Sequence, residues 1–187
     1  MAQPLAHVRT PSVTSPDLTS SAATVALAAP APRHVTEFVI DDATLVPTTL
    51  ALAAARADVI RVRHGAGLPT HASVRALVAM LDDEVAAVGR SRDDVTVVLE
   101  VETVVADDED DAARRRGHLA YSAAFSHLAW QADATMLVAA PGTVVDEAAE
   151  LARRTGVDRV ELVLVGRSRR HAPTIARTLA RTLPAHP

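Results

Sequence analysis

Two arginines stand two positions apart in a short segment that otherwise has the composition of a buried strand. The segment is ADVIRVR at 57–63, and its β-branched residues are typical of a strand. Side chains two positions apart in a strand share a face, so Arg61 and Arg63 lie on one face while Ile60 and Val62 lie on the other. The cationic face of such a strand needs an anionic partner.

Carboxylates with the same one-sided spacing occur in other predicted strands. Glu37 stands in VTEFVID, and Glu100 and Glu102 share one face of VVLEVETVV. Guanidinium–carboxylate pairs form two parallel hydrogen bonds and suit a buried setting, so we expect Arg61 and Arg63 to pair with these three glutamates. One alternative is that the charges face solvent on an open sheet. Another is that Glu100 and Glu102 act as general acid and base, which requires one of them to lack a partner.

Predicted strands and helices alternate along the chain after an initial segment without periodicity. Residues 1–22 are rich in Pro, Ser and Thr, which predicts a disordered tail ahead of a single α/β domain at 23–187. The strand patterns lie at 34–41, 57–63, 93–106 and 157–166, with short apolar segments at 23–32 and at the start of 134–156. The helix patterns lie at 42–56, 71–89, 107–130, the rest of 134–156, and 170–183. We expect Asp42 or Thr44 to cap the helix at 42–56.

The one-sided charges bear on how these strands are arranged. Alternating strands and helices predict a parallel sheet, either open and doubly wound or part of a (β/α)8 barrel. A doubly wound sheet is covered by helices on both faces and is apolar on both, whereas a barrel encloses a lumen filled by side chains. The strand at 157–166 adds Arg159 and Glu161 on one face. We therefore predict an α/β fold of alternating β/α units that form a partial (half) TIM-type barrel with a parallel sheet.

The composition excludes several functional classes. The 187 residues suit one domain, and the net charge of −4 gives no electrostatic case for binding nucleic acid or an anionic membrane. All 19 basic residues are arginine, which excludes a Walker-type lysine and Schiff-base chemistry and is typical of a GC-rich, bacterial genome. The lack of cysteine excludes disulfides and thiol nucleophiles. With no membrane-spanning run and no secretory signal pattern, we expect a cytoplasmic protein.

Three longer segments resemble a known enzyme family. They are FVIDDATLVPTTLALAAARADVIRVR, GRSRDDVTVVLEVETVVADDEDDAARRR and PGTVVDEAAELARRTGVDRVELVLVG. Their order and spacing resemble the second half of luciferase-like monooxygenases, where LAAARADVIR matches an LAARYADAVF-like segment. The resemblance covers about residues 35–166. It implies the C-terminal half of a (β/α)8 barrel that uses FMN or the deazaflavin F420.

The loop after the predicted strand at 34–41 is where the resemblance implies a cofactor site. In many members of the family this loop reads QAGxSxxG, and its serine and backbone N–H groups hold the cofactor phosphate at a helix N-terminus. Here the loop reads IDDATLVP, which lacks those glycines and the serine and adds two negative charges. The cofactor-binding residues that the resemblance implies are Asp42, Ala43, Thr44, Arg63 and His64.

The resemblance also implies that the front half of the barrel, which usually carries the catalytic side chains, is missing. A half barrel leaves two sheet edges and its lumen face uncovered, so we expect a homodimer or a partner chain that completes the barrel. The first hypothesis is a shortened flavin- or F420-dependent oxidoreductase or monooxygenase. The alternatives are a cofactor-less relative with a structural or interaction role, and a truncated gene product. No catalytic residue is assigned.

Two sets of candidate residues have a structural interpretation beside a chemical one. Asp41 and Asp42 stand where a barrel strand ends and could ligate a metal, although capping the next helix is the favoured interpretation. His64 follows the arginine strand and could donate a proton or contact a phosphate. Its structural interpretation is an exposed loop histidine before the GAG sequence, and that interpretation is favoured.

The remaining histidines and a run of arginines carry no prediction of a site. His118 and His127 lie nine residues apart, and His171 opens the last helix. Neither arrangement has the four-residue spacing of a helical metal pair. Arg114–Arg116 is predicted to be a solvated helix face. We therefore predict no metal site.

Overall fold

A computed structural model describes residues 24–30, 32–125 and 135–182. The predicted tail at 1–22 and His127 lie outside the described residues. The strands are β1 (Thr24–Leu27), β2 (Glu37–Ile40), β3 (Val59–Arg63), β4 (Thr96–Val105), β5 (Leu137–Ala139) and β6 (Arg159–Leu164). The helices are α1 (Pro47–Arg56), α2 (His71–Ala87), α3 (Glu109–Ala124), α4 (Val144–Thr155) and α5 (Ala172–Thr182), with 3-10 turns at Arg92–Asp94 and Gly166–His171.

Every described strand pair is parallel, which confirms the predicted α/β fold of alternating β/α units. The sheet order is β1-β6-β4-β3-β2, and β5 pairs with the end of β4. On this path β2, β3, β4 and β6 lie side by side in the order of the chain, as barrel strands do, and β5 lies off the path. Strand β1 comes first in the chain but lies beyond β6, where a closed barrel would place its first strand. Residues 28–36 alone join the two edge strands, and they are too few for another strand and its crossover.

The two faces of the sheet differ as the one-sided charges predict. The face towards the helices is apolar and includes Ile40, Ile60, Leu99 and Leu162, all buried. These residues share one core with side chains of α1, α2, α4 and α5. Burying each large aliphatic side chain contributes about 1.5–3 kcal/mol. The helix side therefore supplies the hydrophobic stabilisation, and the charged residues occupy the opposite, lumen face.

Helix α1 begins at Pro47, so the prediction that Asp42 or Thr44 caps it is wrong. The N-cap is Val46, whose backbone is extended (φ −133°, ψ 150°) and whose side chain makes no capping hydrogen bond. A residue before proline is kept out of the helical region by the proline ring, while proline itself suits the first helical position. Pro47 therefore sets the start of the helix, and the two aspartates are left for the preceding turn.

Two aspartates fasten the amino ends of the strands. Asp58 precedes β3, and its Oδ2 accepts a hydrogen bond from the Thr36 N–H at 2.7 Å. Asp158 precedes β6, and its Oδ2 accepts from the Val97 N–H at 2.7 Å and from Arg92 Nη2 at 2.8 Å. Each carboxylate holds a backbone donor of a neighbouring segment, so it fixes the register at this end of the sheet.

Replacing Asp158 should therefore weaken the sheet. In Asp158→Ala the Val97 N–H and the Arg92 guanidinium lose an acceptor, and we expect a loss of about 1–3 kcal/mol in the free energy of unfolding. Asp158→Asn keeps an oxygen that accepts from Val97 and should lose less. Urea denaturation of the three proteins measures the difference. Equal stability of the Ala and Asn variants would show that the acceptor at Asp158 does not fasten the strand.

Candidate functional site

Arg61 is the centre of an ion cluster on the lumen face. Its side chain is 7% exposed. Nη1 donates to Glu161 Oε2 at 2.5 Å and to Glu100 Oε1 at 3.2 Å, and Nε donates to Glu37 Oε1. Burial opposes the charged form, but the hydrogen bonds to Glu161 and Glu37 outweigh it and hold the pKa of Arg61 above its usual range. The predicted pairing of Arg61 with Glu37 and Glu100 is confirmed.

Glu161 is a member of this cluster that the sequence reasoning did not connect with Arg61. In the register of β4 and β6, Glu100 lies directly opposite Glu161, and two like charges so placed repel each other. The Arg61 guanidinium pairs with both, and each has a second cation: Arg63 for Glu100 and Arg159, at 3.6 Å, for Glu161. The one-sided spacing of Arg159 and Glu161 was a usable signal, but assigning the partner required the strand order.

Arg63 and Glu102 differ from the prediction. Arg63 pairs with Glu100 through Nε, and its side chain is 48% exposed. Its two terminal nitrogens make no hydrogen bond with a described residue. Glu102 makes no ion pair within the described part of the chain, so its predicted pairing with these arginines is wrong. Strand β3 ends at Arg63, which lies opposite Glu100, and no arginine of β3 extends to the level of Glu102.

Asp41 closes a tight turn directly after β2. Its Oδ1 accepts hydrogen bonds from the N–H groups of Ala43 at 3.0 Å and Thr44 at 3.1 Å. The Thr44 hydroxyl lies within hydrogen-bond distance of the same oxygen and of the Val39 carbonyl. The hydrogen bond from Thr44, with those from the two backbone amides, holds the pKa of Asp41 below its usual value. These donors are therefore already used by the chain itself.

Asp42 holds the loop that follows β3. Its Oδ1 accepts from the Gly67 N–H at 2.8 Å and its Oδ2 from the Ala66 N–H at 2.9 Å. The carboxylate lies so close to Gly65 that a Cβ there would be 2.4 Å from Oδ1. The loop sequence GAG is thus needed for this approach, and Asp42 acts as an intramolecular anion rather than as a helix cap.

His64 is half-buried, so the interpretation as an exposed loop histidine is wrong. Its Nδ1 lies 3.0 Å from the Leu68 carbonyl, which makes Nδ1 the protonated nitrogen. Its Nε2 is buried and has no hydrogen-bond partner among the described residues. The ring of His71 stands 5.4 Å away, centroid to centroid. Burial lowers the pKa of both histidines, and in His71 repulsion from His64 and Arg154 adds to the effect and lowers it to about 4.

A cavity of about 690 Å³ opens at the carboxyl ends of the strands, where barrel active sites lie. We call it the mouth cavity. It is lined by Ala28, Asp42, Arg63, His64, Gly65, Ala66, Glu100, Glu102, Thr135, Met136 and Val163. Three of the five predicted cofactor-binding residues, Asp42, Arg63 and His64, line it. Ala43 and Thr44 do not.

The other candidates lie away from this cavity. Arg114 and Arg115 pair with Asp111 on the helix surface. Arg116 is exposed as predicted, and its Nη1 also donates to the Val138 carbonyl of β5 at 2.8 Å. Within residues 24–30, 32–125 and 135–182, no group of three or more His, Asp or Glu side chains could hold a metal ion. No described helix is long and apolar enough to cross a membrane.

Known structures share this fold, although no protein-family model and no curated protein matches the chain. EDTA monooxygenase from Chelativorans sp. BNC1 matches with a TM-score of 0.53 and 11% identity, over 73% of this chain and 42% of that one. A riboflavin lyase with modified FMN and riboflavin matches with a TM-score of 0.57 and 13% identity, over 79% and 43%. The coenzyme F420 dependent tetrahydromethanopterin reductase from Methanopyrus kandleri matches with a TM-score of 0.51 and 16% identity, over 78% and 51%.

These neighbours are luciferase-like monooxygenases and F420-dependent reductases. The chain has a luciferase-like fold. It spans about half of the neighbours' length or less, since it covers 42%, 43% and 51% of the three. At identities of 11–16% the likeness establishes the luciferase-like fold alone.

The histidine pair predicts how stability depends on pH. The folded pKa of His71 is about 4 and its ordinary value is 6.5, so between these values the unfolded chain binds a proton that the folded chain does not. Above pH 6.5 His71 therefore does not reduce the free energy of unfolding. As the pH is lowered from 6.5 towards 4, His71 reduces it progressively. We expect His71→Asn to flatten this slope in denaturation curves taken across that window. His118→Asn, at an exposed position on α3, should keep the slope, and an unchanged slope in His71→Asn would contradict the assignment.

The contact of Asp42 with the loop after β3 predicts a local effect. In Asp42→Ala the amides of Ala66 and Gly67 lose their acceptor, and we expect their hydrogen exchange to accelerate by about tenfold, the equivalent of one modest hydrogen bond. The Ser73 amide, which donates to the Thr70 hydroxyl at 3.1 Å, serves as the internal control and should not change. Equal acceleration of all three amides would indicate general destabilisation rather than loss of this contact.

Proposed function

We propose that the chain is an oxidoreductase- or monooxygenase-type protein of luciferase-like fold that takes FMN or F420 at the mouth cavity. The observation that carries the proposal is the cavity itself, which lies at the carboxyl ends of the strands in a fold shared with an FMN-containing riboflavin lyase and an F420-dependent reductase. Its volume of about 690 Å³ is within the range of small-molecule sites. When bound, a flavin or deazaflavin would supply hydride-transfer chemistry.

Only some residues around the mouth cavity fit the phosphate of such a cofactor. The loop at 42–44 does not fit a phosphate, because the amides of Ala43 and Thr44 already donate to Asp41. Arg63 fits better, since its terminal nitrogens have no partner among the described residues and guanidinium groups bind phosphate through two parallel hydrogen bonds. We therefore assign the phosphate to Arg63, with the imidazole of His64 beside it in the lining of the cavity.

A second candidate function is a cofactor-less protein with a structural or interaction role. The observation that favours it is the use of backbone donors by the chain's own carboxylates: Asp41 takes two amides and Asp42 takes two more. A phosphate and a carboxylate compete for the same N–H groups, so these loops are satisfied without a ligand. This candidate predicts that neither FMN nor F420 binds.

Either function leaves the barrel incomplete, and we propose that a second copy or a partner chain completes it. Strands β1 and β2 each pair with one described strand, and their outer edges have no strand partner among the described residues. An open parallel edge is a template for another strand. The partner would also cover the lumen face, which carries the Arg61 cluster and no helix of the described chain.

Titration with FMN and F420 tests the cofactor proposal. We expect a saturable change in flavin fluorescence with the unmodified chain, and binding about tenfold weaker in Arg63→Gln, which loses a charged hydrogen bond to phosphate. Arg75→Gln, at an exposed position on α2 without a described partner, is the matched control and should bind normally. Sedimentation of the same samples reports whether the binding species is an assembly. Absence of binding at all assembly states would favour the cofactor-less candidate.

A further inference from the structure

Glu102 is a carboxylate of the lumen face that has no ion-pair partner among the described residues. Its neighbour on the same face of β4, Glu100, pairs with both Arg61 and Arg63. Glu102 itself is exposed and makes no hydrogen bond or ion pair with a described residue. The strand register explains the difference, because β3 ends opposite Glu100 and the residue opposite Glu102 on β6 is Val163. Among the described residues that line the cavity, Arg63 is the one cation, and it is paired with Glu100 and not with Glu102.

The surroundings of Glu102 indicate which kind of ligand could pair with its carboxylate. The wall next to it is largely apolar, with Ala28, Met136 and Val163 lining the same mouth cavity. His64 adds no competing positive charge, because its Nδ1–H faces the Leu68 carbonyl and its Nε2 has no described partner. A carboxylate beside an apolar wall suits a ligand with a cationic end and an apolar body.

A metal ion is a poorer match than an organic cation. Hard divalent ions take six or more oxygen ligands, and the described residues contain no group of three or more side chains that could hold a metal. Glu102 supplies one carboxylate, and Glu100 is already engaged by two arginines. An ammonium group needs only one carboxylate and a few acceptors.

We infer that Glu102 binds the ammonium group of a small organic amine whose apolar part lies against Met136 and Val163. This inference rests on the proposed function, since it names the substrate class of the same cavity as an amine. Arg63 and Glu102 then divide the cavity between an anionic and a cationic ligand group. The inference places no reaction on Glu102, whose role is to orient the amine.

Nuclear magnetic resonance titration with n-butylammonium at pH 7, without FMN or F420, tests the inference. We expect saturable shifts of the backbone amides around Glu102 and Val163, and weaker binding of 1-butanol, which has the same apolar body but no charge. Glu102→Gln should weaken butylammonium binding by about tenfold and leave 1-butanol unchanged. Asp83→Asn removes an exposed carboxylate of α2 and should change neither. Binding should also weaken as the salt concentration rises.

Two outcomes overturn the inference. One is equal binding of amine and alcohol, or an effect of Asp83→Asn as large as that of Glu102→Gln. The other is no amine binding by the unmodified chain; if it then appears in Arg63→Gln, Arg63 is the partner of Glu102. Amine binding without FMN or F420 binding would keep this inference and refute the cofactor proposal. Cofactor binding without amine binding would do the reverse.

Discussion

A buried guanidinium determines how the strands are arranged. Removing the charge of Arg61 from water costs several kcal/mol, and the cost is offset only when partners satisfy it closely. The partners come from three other strands: Glu37 from β2, Glu100 from β4 and Glu161 from β6. In a flat sheet β6 would lie two strand spacings from β3, about 10 Å away. The contact of Arg61 with Glu161 therefore reaches across β4 on the lumen face, and the long side chains of the cluster link β2, β3, β4 and β6.

The first residues after β1 lie against this cluster. The link between the edge strands passes over the lumen, since residues 28–30 and the cluster members Glu37, Arg61 and Glu100 line a common cavity of about 330 Å³. The outer edges of β1 and β2 have no strand partner among the described residues, and these edges are the part of the fold that most needs a partner.

The sequence predicted the parts of the fold that follow from alternation within one strand. The one-sided charges of Arg61, Glu37 and Glu100 distinguished a lumen from a doubly wound sheet, because this distinction needs only which residues share a face. The role of Glu161 and the isolation of Glu102 depend on the order and register of separate strands, which no local pattern contains. The start of α1 differs from the prediction for another reason: Pro47 restricts the backbone of Val46, and this restriction outweighs the capping tendency of Asp42 and Thr44.

The chemistry at the mouth of the barrel follows from which groups the chain has already satisfied. The amides of the loops after β2 and β3 are taken by Asp41 and Asp42, so the charge pattern that looked unfavourable for phosphate in the sequence is a completed set of hydrogen bonds in the structure. What is left for a ligand is the outer part of Arg63 and the carboxylate of Glu102. The guanidinium of Arg63 and the carboxylate of Glu102 thus lie in a single cavity. A molecule bound there must therefore be oriented by its own separation of charge, and not by a phosphate cradle.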